Sequence, residues 1–306
     1  MKASTIIHWE RKVQEAIAFS HDDPFGDLDL KKVADRLCVS TNIFYHKFAE
    51  ICGEPYIRFT RRRRLEAGAG YLRHSDYGIR EISERCGYSN ASFGKAFQAL
   101  FHESPTAFRD REFLQNETHT LQRTKIITSS YQHHASHIFS TDRTEAIRLP
   151  HHVLYYHILP SNNDPVKNMV EDMNRYYSRL LEIQSSLLMP EVSIITGTLD
   201  VVPVTSYGKM MMYVGLLVPI TPAYDQAHQL IRMVYQEEYR LVTKQIAGGD
   251  YKKLPVPMGF AAAGLPMYEF INHSCRVGYF KMSGNHFFIS LTGADSCEIY
   301  IPWQRR

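Results

Sequence analysis

LKKVADRLCVSTNIFYHKF, residues 30–48, decides the fold of this chain, because it recurs further along as IREISERCGYSNASFGKAF, residues 79–97. The offset between the two copies is 49 residues, and it holds without a gap. The matched pairs include Leu30 with Ile79, Val33 with Ile82, Ser40 with Ser89, Phe44 with Phe93, and Phe48 with Phe97. A repeat of this kind indicates two supersecondary units of one design.

Each copy has the pattern of a helix, a tight turn and a second helix. Apolar residues at i, i+3, i+4 and i+7 predict the first helix, and a serine follows where an N-cap is needed. Phenylalanines at i and i+4 then predict the buried side of the second helix. This is the pattern of a helix-turn-helix, whose second helix enters the DNA major groove by its N-terminal residues.

The exposed positions of the two second helices are the candidate base-contacting residues. In the first copy they are Thr41, Asn42, Tyr45 and His46; in the second they are Asn90, Ala91, Ser92 and Lys95. Asparagine can bond adenine and lysine can bond guanine in the major groove. The alternative is that these side chains are capping or solvated surface groups.

Four consecutive arginines open the stretch TRRRRLEAGAGYLRH, residues 60–74. They could serve as an import signal, a membrane-surface patch, a solvated helix face or a clamp on a phosphate backbone. A helix turns by about 100° per residue, so the four cannot share one side. If the buried stripe is Leu65, Ala69 and Leu72, Arg63 points away from it, and Arg62 and Arg64 flank it. We expect at least one or two of these arginines to contact phosphate, with Arg61, Arg62 and Arg63 as the candidates, and the rest to be solvated.

Residues 8–112 resemble the DNA-binding module of the AraC/XylS family of bacterial transcription regulators. The resemblance is carried by VADRLCVSTNIFYHKF, by RRRRLEAGAGYL as a connecting helix, and by EISERCGYS followed by FGKAFQALFHESPTAFR. It implies an all-α domain with two helix-turn-helix motifs that enter successive major grooves, about 34 Å apart. Double-stranded DNA at a promoter is therefore the expected partner, with RNA polymerase as a further one. DNA repair on a similar scaffold is an alternative, but it would need a reactive cysteine in a recognisable box, and the sequence has none.

Composition is that of an ordinary globular protein. The 306 residues suit two domains, and they are 44% hydrophobic and 22% charged, with a net charge of only +3. Any basic surface must therefore be local. Five scattered cysteines without a C-x-x-C pair favour reduced thiols, and the longest apolar run, residues 210–220, is too short to span a bilayer. We expect a soluble, cytoplasmic, nucleoid-associated protein with no membrane partner and no cofactor.

The pattern divides the chain into a DNA-binding domain (1–112), a linker (113–147) and a second domain (148–306). The linker is rich in Thr, Ser, His and Gln, and its His133, His134 and His137 raise the question of a metal site. No cysteine or paired acidic ligand completes a set nearby, so we expect a polar linker and no metal.

The second half is predicted to be an α+β domain. HHVLYYHI, VSIITGTLD, KMMMYVGLLVP, HFFISLTG and CEIYIPW read as strands, and residues 165–188 and AAAGLPMYEFINH as helices. YRLVTKQIAGGDYKKLPV is predicted to form two paired strands that turn at Gly248 and Gly249. The repeated order strand–helix–strand–strand implies an antiparallel sheet with helices on one side.

Residues 148–306 resemble the GyrI-like effector-binding domains. The resemblance is carried by LDVVPVTSYGKMMMYVGLLVP, IAGGDYKKLPV and EIYIPW, and its domain order is that of Rob-type members of the AraC/XylS family. It implies an amphipathic small-molecule effector in an aromatic cleft. The candidate ligand-binding residues are Tyr213, Tyr268, Phe288, Glu298, Tyr300 and Trp303. Phe288 stands where relatives carry a ligand-facing glutamate, which leaves the charge of the ligand open.

Two alternatives accompany this interpretation of the second half. Aromatic residues that alternate on strands are often core residues, so the cleft residues could simply be buried. Some GyrI-like domains hydrolyse electrophilic compounds, but Glu298 has no companion at a recognisable spacing, and no G-x-S-x-G or Cys/His pairing is present. We therefore expect a regulator without enzymatic activity. The sequence leaves activation or repression, the operator and the oligomeric state open.

Overall fold

The computed structural model divides the chain into two compact units, Met1–Glu117 with Leu199–Thr205, and Thr118–Thr198 with Ser206–Arg306. The structure describes residues 3–26, 29–110, 143–159, 165–187, 189, 191–200, 205, 209–238, 240–256, 281–282, 286–293 and 296–304. Each unit is described by itself below.

The first unit is helical throughout its described secondary structure, as predicted. Its helices are α1 (Ala3–Asp22), α2 (Leu30–Arg36), α3 (Thr41–Cys52), α4 (Tyr56–His74), α5 (Ile79–Arg85), α6 (Asn90–Phe101) and α7 (Pro105–Asp110). Helices α5 and α6 begin and end 49 residues after α2 and α3, so the repeat in the sequence is a repeat in the backbone. The helix-turn-helix prediction is confirmed for both copies.

The left-handed backbone positions of the repeat also coincide. In the turn between the paired helices, Cys38 has φ 55° and Gly87 has φ 75°. At the C-terminal ends of α3 and α6, Gly53 has φ 70° and His102 has φ 61°. Each copy thus has glycine at one of its two left-handed positions and a side chain at the other, where L-residues are strained.

Helix α4 connects two aromatic cores. Near its N-terminus, Tyr56 and Phe59 pack against the buried Phe44 and Phe48 of α3, with ring centroids 5.1 to 5.5 Å apart. Further along, it contributes to the core of the second motif, which comprises Leu65, Ala69, Leu72, Ile82, Cys86, Phe93, Phe97 and Phe108. The 19 residues of α4 give a rod of about 28 Å that joins the two motifs.

The described strands of the second unit form one antiparallel sheet. They are β1 (Glu145–Leu149), β2 (His152–Leu159), β3 (Ser193–Thr198), β4 (Met212–Pro219), β5 (Val242–Ile246), β6 (Gly249–Val256), β7 (Lys281–Met282), β8 (Phe288–Leu291) and β9 (Cys297–Gln304). Their order is β1-β6-β9-β8-β3-β4-β2-β5, with β7 paired to β9. The prediction of an antiparallel sheet is confirmed for these strands.

Two predictions about this sheet are wrong. Strands β5 and β6 do not pair with each other at Gly248 and Gly249: β5 pairs with β2, and β6 pairs with β1 and β9. Strand β1 also begins at Glu145, inside the stretch that we assigned to the linker. The predicted helix AAAGLPMYEFINH lies outside the described residues.

The described helices of this unit pack on one face of the sheet. Helix α8 (Pro165–Leu187) and helix α9 (Asp225–Leu230), which continues into a π-helical segment (Ile231–Tyr235) and a last turn (Gln236–Glu238), share a core with β2, β3 and β4. Side chains alternate between the two faces of a strand. The residues of these strands that do not point toward the helices therefore lie together on the opposite face of the sheet.

Candidate DNA interface and effector site

Helix α3 presents its predicted contact residues to solvent. Phe44 and Phe48 are fully buried, whereas Asn42, Tyr45 and His46 are exposed. Thr41, the first residue of α3, is half-buried. The N-terminal turn of α3 is thus open for contact with a partner, as the first motif requires.

Helix α6 has an equally open but chemically different surface. Asn90, Ser92 and Lys95 are exposed above the buried Phe93 and Phe97. The Ser92 side chain is already engaged at the N-cap, because its Oγ donates to the Ser89 carbonyl at 3.0 Å and lies 2.8 Å from the Ser89 hydroxyl. Asn90 and Lys95 are therefore better placed than Ser92 to reach a base.

The prediction of an exposed arginine collar is wrong for Arg62. Arg62 is buried, and its guanidinium donates to Glu54 at 2.7 and 3.1 Å and to Glu66 at 2.9 and 3.1 Å. Burial alone lowers the pKa of Arg62, but Glu66 and Glu54 outweigh it and hold that pKa above its ordinary value. Burial raises the pKa of the Glu66 carboxyl, and Arg62 offsets this only in part. Arg62 is therefore a structural cation.

The prediction is also wrong for Arg63, which is buried and not directed to solvent. Its guanidinium donates to the Asp200 carboxylate and to the Leu199 carbonyl, both in the segment assigned to the first unit, and lies 3.2 Å from His21 Nδ1. The error arises because α4 is buried around most of its circumference, as a central helix is, and not along one stripe.

Two arginines on α4 are exposed in place of the predicted three. Arg61 is exposed, as expected for a residue that contacts phosphate. Arg58 is exposed as well, and we did not predict it, although it lies one turn before Arg61 on the same side of the helix. Arg64 is half-buried and donates to the carbonyls of Pro24 at 3.0 Å and Gly26 at 2.6 Å.

An aromatic face lies opposite the helical face of the sheet in the second unit. We define it by Tyr156, Tyr213, Tyr251, Phe288 and Tyr300, which the register places on the same side of β2, β4, β6, β8 and β9. The sequence-predicted Tyr213, Phe288, Glu298 and Tyr300 therefore do share one face. Trp303 lies on the opposite side of β9 from Tyr300, because the two are three residues apart and side chains alternate between the faces of a strand.

Tyr213 and Phe288 are core residues and not open cleft walls. Both are fully buried, and the Tyr213 hydroxyl lies 2.7 Å from His286 Nε2. Burial raises the pKa of Tyr213 well above its ordinary value and lowers the pKa of His286 to about 3, so both groups are neutral at pH 7. Their burial agrees with the alternative that the alternating aromatics are core residues, and a ligand contact by either residue stays a prediction.

The half-buried end of the aromatic face lies on β9. Tyr300 stacks on Phe288 with centroids 4.6 Å apart, and its hydroxyl donates to Glu298 at 2.9 Å. Glu298 also pairs with Lys253 at 2.8 Å. Trp303 is half-buried, with the Lys252 ammonium 4.5 Å from its ring. Tyr268 lies outside the described residues.

Two of the described cysteines, Cys86 and Cys297, are buried. Burial raises the pKa of Cys86 and of Cys297 to about 12, so both are protonated thiols at pH 7. Within the described ranges, no three His, Cys, Asp or Glu side chains are arranged to hold a metal ion. His133, His134 and His137 fall outside those ranges. Nor does any helix in the described part of the chain have the length and apolar character needed to cross a membrane.

Comparison with known proteins places the first unit in a known domain class. Residues 33–111 match a sequence-family model described as a helix-turn-helix domain. The HTH-type transcriptional regulator AlkR of Acinetobacter baylyi is 28% identical over 101 residues, which is 33% of this chain and 33% of AlkR. The chain thus spans about a third of the length of the curated relatives it matches.

Two solved structures are also similar in part. The C-terminal domain of AraT, a response regulator from Geobacillus stearothermophilus, is 28% identical with a TM-score of 0.32, covering 34% of this chain and 89% of that one. SAV2435 bound to tetraphenylphosphonium is 12% identical with a TM-score of 0.35, covering 53% of this chain and 93% of that one. The first unit thus contains a helix-turn-helix domain, similar to part of HTH-type transcriptional regulators such as AlkR.

Proposed function

We propose that this chain is a sequence-specific DNA-binding transcription regulator whose second unit binds a small-molecule effector. One observation carries the DNA-binding part: the 49-residue repeat places two helix-turn-helix motifs on one connecting helix, and both second helices have exposed N-terminal turns. Two motifs on one rod can contact two successive major grooves, which gives one chain more base contacts than a single motif provides.

In this proposal, three side chains contact the bases. Asn42 and Asn90 carry amides that can bond adenine, and Lys95 carries an ammonium that can bond guanine. His46 is exposed beside Asn42 and stacks edge-on with Tyr45, with ring centroids 5.2 Å apart. Because these groups are not engaged in the core of the unit, they can be replaced without unfolding it.

In the same proposal, Arg58 and Arg61 on α4 contact the phosphates. Both are exposed, unlike Arg62 and Arg63, whose charges are matched by buried carboxylates. Each phosphate that an arginine neutralises releases counterions, which steepens the dependence of affinity on salt. Arg58 and Arg61 thus supply positioning without sequence preference.

The DNA-binding part can be tested with duplexes selected by the full chain from a random pool. Binding of the enriched sequence should fall with salt, and Asn42→Ala and Lys95→Ala should each weaken it about tenfold, in line with about 1–3 kcal/mol per specific base contact. Glu50→Ala, on the exposed C-terminal part of α3, is the matched control and should bind normally. Failure to enrich any sequence, or equal binding by all variants, would reject the proposal.

For the second unit, the support lies in the β9 end of the aromatic face. Tyr300 offers a flat, half-buried ring beside the carboxylate of Glu298, an arrangement suited to an amphipathic ligand. Lys253 already neutralises Glu298, so a cationic ligand has to displace that lysine, whereas a neutral one does not. The charge preference of the effector therefore depends on the Lys253–Glu298 pair.

This part can be tested by calorimetric titration with three aromatic amphiphiles of similar size that are cationic, neutral or anionic. We expect saturable binding of at least one, weakened by Tyr300→Ala. Lys253→Met should increase the affinity for the cation, because Glu298 is then unpaired, and Glu298→Gln should reverse this gain. Arg148→Met, which removes an exposed cation from β1, serves as the control. No binding of any amphiphile would reject the effector hypothesis without affecting the DNA-binding one.

A further inference from the structure

The two recognition helices present different chemistry at matched positions, and one position stands out. Ile43, the third residue of α3, leaves 48% of its surface exposed, although it is one of the most apolar side chains. Its counterpart in α6, 49 residues later, is Ser92, which is used as part of the N-cap. Ile43 makes no such local contribution to the fold.

The orientation of Ile43 brings it close to the outward side of α3. Taking the direction opposite Phe44 and Phe48 as outward, Asn42 lies about 40° from it, Ile43 about 60° and Tyr45 about 100°. Ile43 is thus nearer to the groove-facing direction than Tyr45. It also lies in the first turn of the helix, the part that enters a major groove first.

We infer that Ile43 is a specificity-determining residue that contacts the 5-methyl group of a thymine in the site bound by the first motif. The inference rests on the proposed DNA-binding function. In the major groove, only A·T pairs present a methyl group, and an exposed aliphatic side chain is the kind of group that contacts it. The neighbouring Asn42 favours the same base pairs, because its amide matches adenine.

Two other exposed isoleucines in the same unit provide matched controls. Ile57 leaves 45% of its surface exposed near the start of α4, and Ile7 leaves 44% exposed on α1. Neither lies on a recognition helix. Truncating any of the three should change the stability of the unit little, because surface substitutions usually do. A difference in DNA affinity between Ile43→Ala and Ile57→Ala therefore reports on the position and not on exposed apolar area.

The experiment uses the full chain and the duplex selected from a random pool, in which each thymine in turn is replaced by uracil. This replacement removes the 5-methyl group and leaves base pairing unchanged. For the wild-type chain, one or two replacements should weaken binding about fourfold, the effect of removing one buried methyl-sized group. Ile43→Ala should bind the thymine duplex at least about fourfold less tightly and should no longer distinguish uracil at those positions. Ile57→Ala should behave as the wild type, and all three proteins should show the same salt dependence, since no phosphate contact is changed.

Two results would overturn the inference while leaving the DNA-binding function intact. In the first, Ile43→Ala binds the selected duplex as tightly as Ile57→Ala, which would make Ile43 a solvated residue or part of a protein-contact surface. In the second, uracil replacement costs the wild type and Ile43→Ala the same factor at every position, so that another group contacts the methyl. Failure to select any sequence would instead reject the DNA-binding function itself, together with this inference.

Discussion

Replacing Arg62 by alanine should strongly destabilise the first unit, although Arg62 belongs to a run of four arginines that the sequence predicts to contact DNA. The side chain makes four hydrogen bonds to Glu54 and Glu66, whose side chains are each only 4% exposed. Removing the cation leaves two buried carboxylates uncompensated. Breaking a buried ion pair from one side costs about 3–5 kcal/mol. For a unit of about 124 residues, a loss of 3 kcal/mol lowers Tm by about 12 °C.

The assay is thermal unfolding followed by circular dichroism, with Arg61→Ala as the matched control. Arg61 is the preceding residue and is exposed, so its truncation should leave Tm within about 2 °C and instead lower the salt slope of DNA binding by about 0.9. Adding Glu54→Gln and Glu66→Gln to Arg62→Ala should recover much of the lost Tm, because the uncompensated charges are then gone. A normal Tm for Arg62→Ala, combined with weakened DNA binding, would show that our assignment of this ion pair as structural is incorrect.

Further predictions concern backbone geometry and pH. Gly53→Ala should destabilise the first unit by about 0.5–1 kcal/mol, and His102→Gly should stabilise it by a similar amount, because both positions are left-handed; urea unfolding midpoints that move in the same direction would contradict this. His286 has its pKa lowered to about 3, so the folded state binds fewer protons than the unfolded state below pH 6.5, and the stability of the second unit should fall as the pH decreases from there. His286→Gln should remove that part of the pH dependence. Parallel pH profiles of stability for the wild type and the variant would refute this prediction. Gly215→Ala should destabilise the second unit by about 1–3 kcal/mol in the urea unfolding assay, because a Cβ at this position would lie 2.3 Å from the Tyr155 carbonyl oxygen. An unfolding midpoint equal to that of the wild type would contradict the close approach of β2 and β4.

The helix-turn-helix repeat could be predicted from the sequence because its determinants are local. Apolar spacing, a serine at the start of a helix and two phenylalanines one turn apart all act within about 20 residues. The internal repeat then provided a second copy of the same evidence. Even so, we did not predict that Cys38 occupies a left-handed position, because glycine is the residue type that normally marks such a position. The signal was present in the other copy, where the equivalent residue is Gly87.

The arginine run shows where local reasoning fails. Helical spacing predicts which residues share a side, but not how many sides are covered by other parts of the fold. Helix α4 is covered around most of its circumference, so Arg62, which flanks the Leu65 stripe, and Arg63, which points away from it, are both buried. The partners that stabilise them include Asp200, 137 residues away in the chain, a contact that no local pattern contains.

Strand pairing failed for a similar reason. The strands β5 and β6 flank a Gly-Gly pair that is typical of a hairpin turn, and the sequence contains nothing that forbids it. In the structure they lie at separate places in the sheet, each paired with strands that are distant in sequence. The alternation that identifies strands specifies which face a side chain occupies, and it placed Tyr213, Phe288 and Tyr300 on one face. It does not specify which strand lies alongside, or whether that face is open or covered.

The two copies of the repeat share their backbone and their buried residues but not their exposed ones. Helix α3 presents Asn42, Ile43 and Tyr45, whereas α6 presents Asn90, the small residues Ala91 and Ser92, and Lys95. In the proposed function, these helices contact different base pairs, because Asn42 and Ile43 of α3 match Ala91 and Ser92 of α6, and only α6 adds a lysine that can bond guanine. A regulator that binds as a symmetric dimer requires two equal half-sites, because its subunits present equal surfaces. A chain with two unlike motifs on one rod has no such requirement, and its divergent surfaces would be a disadvantage on a palindromic site. In the proposed function, the sequence preference therefore lies in the exposed differences between the copies and not in their shared core.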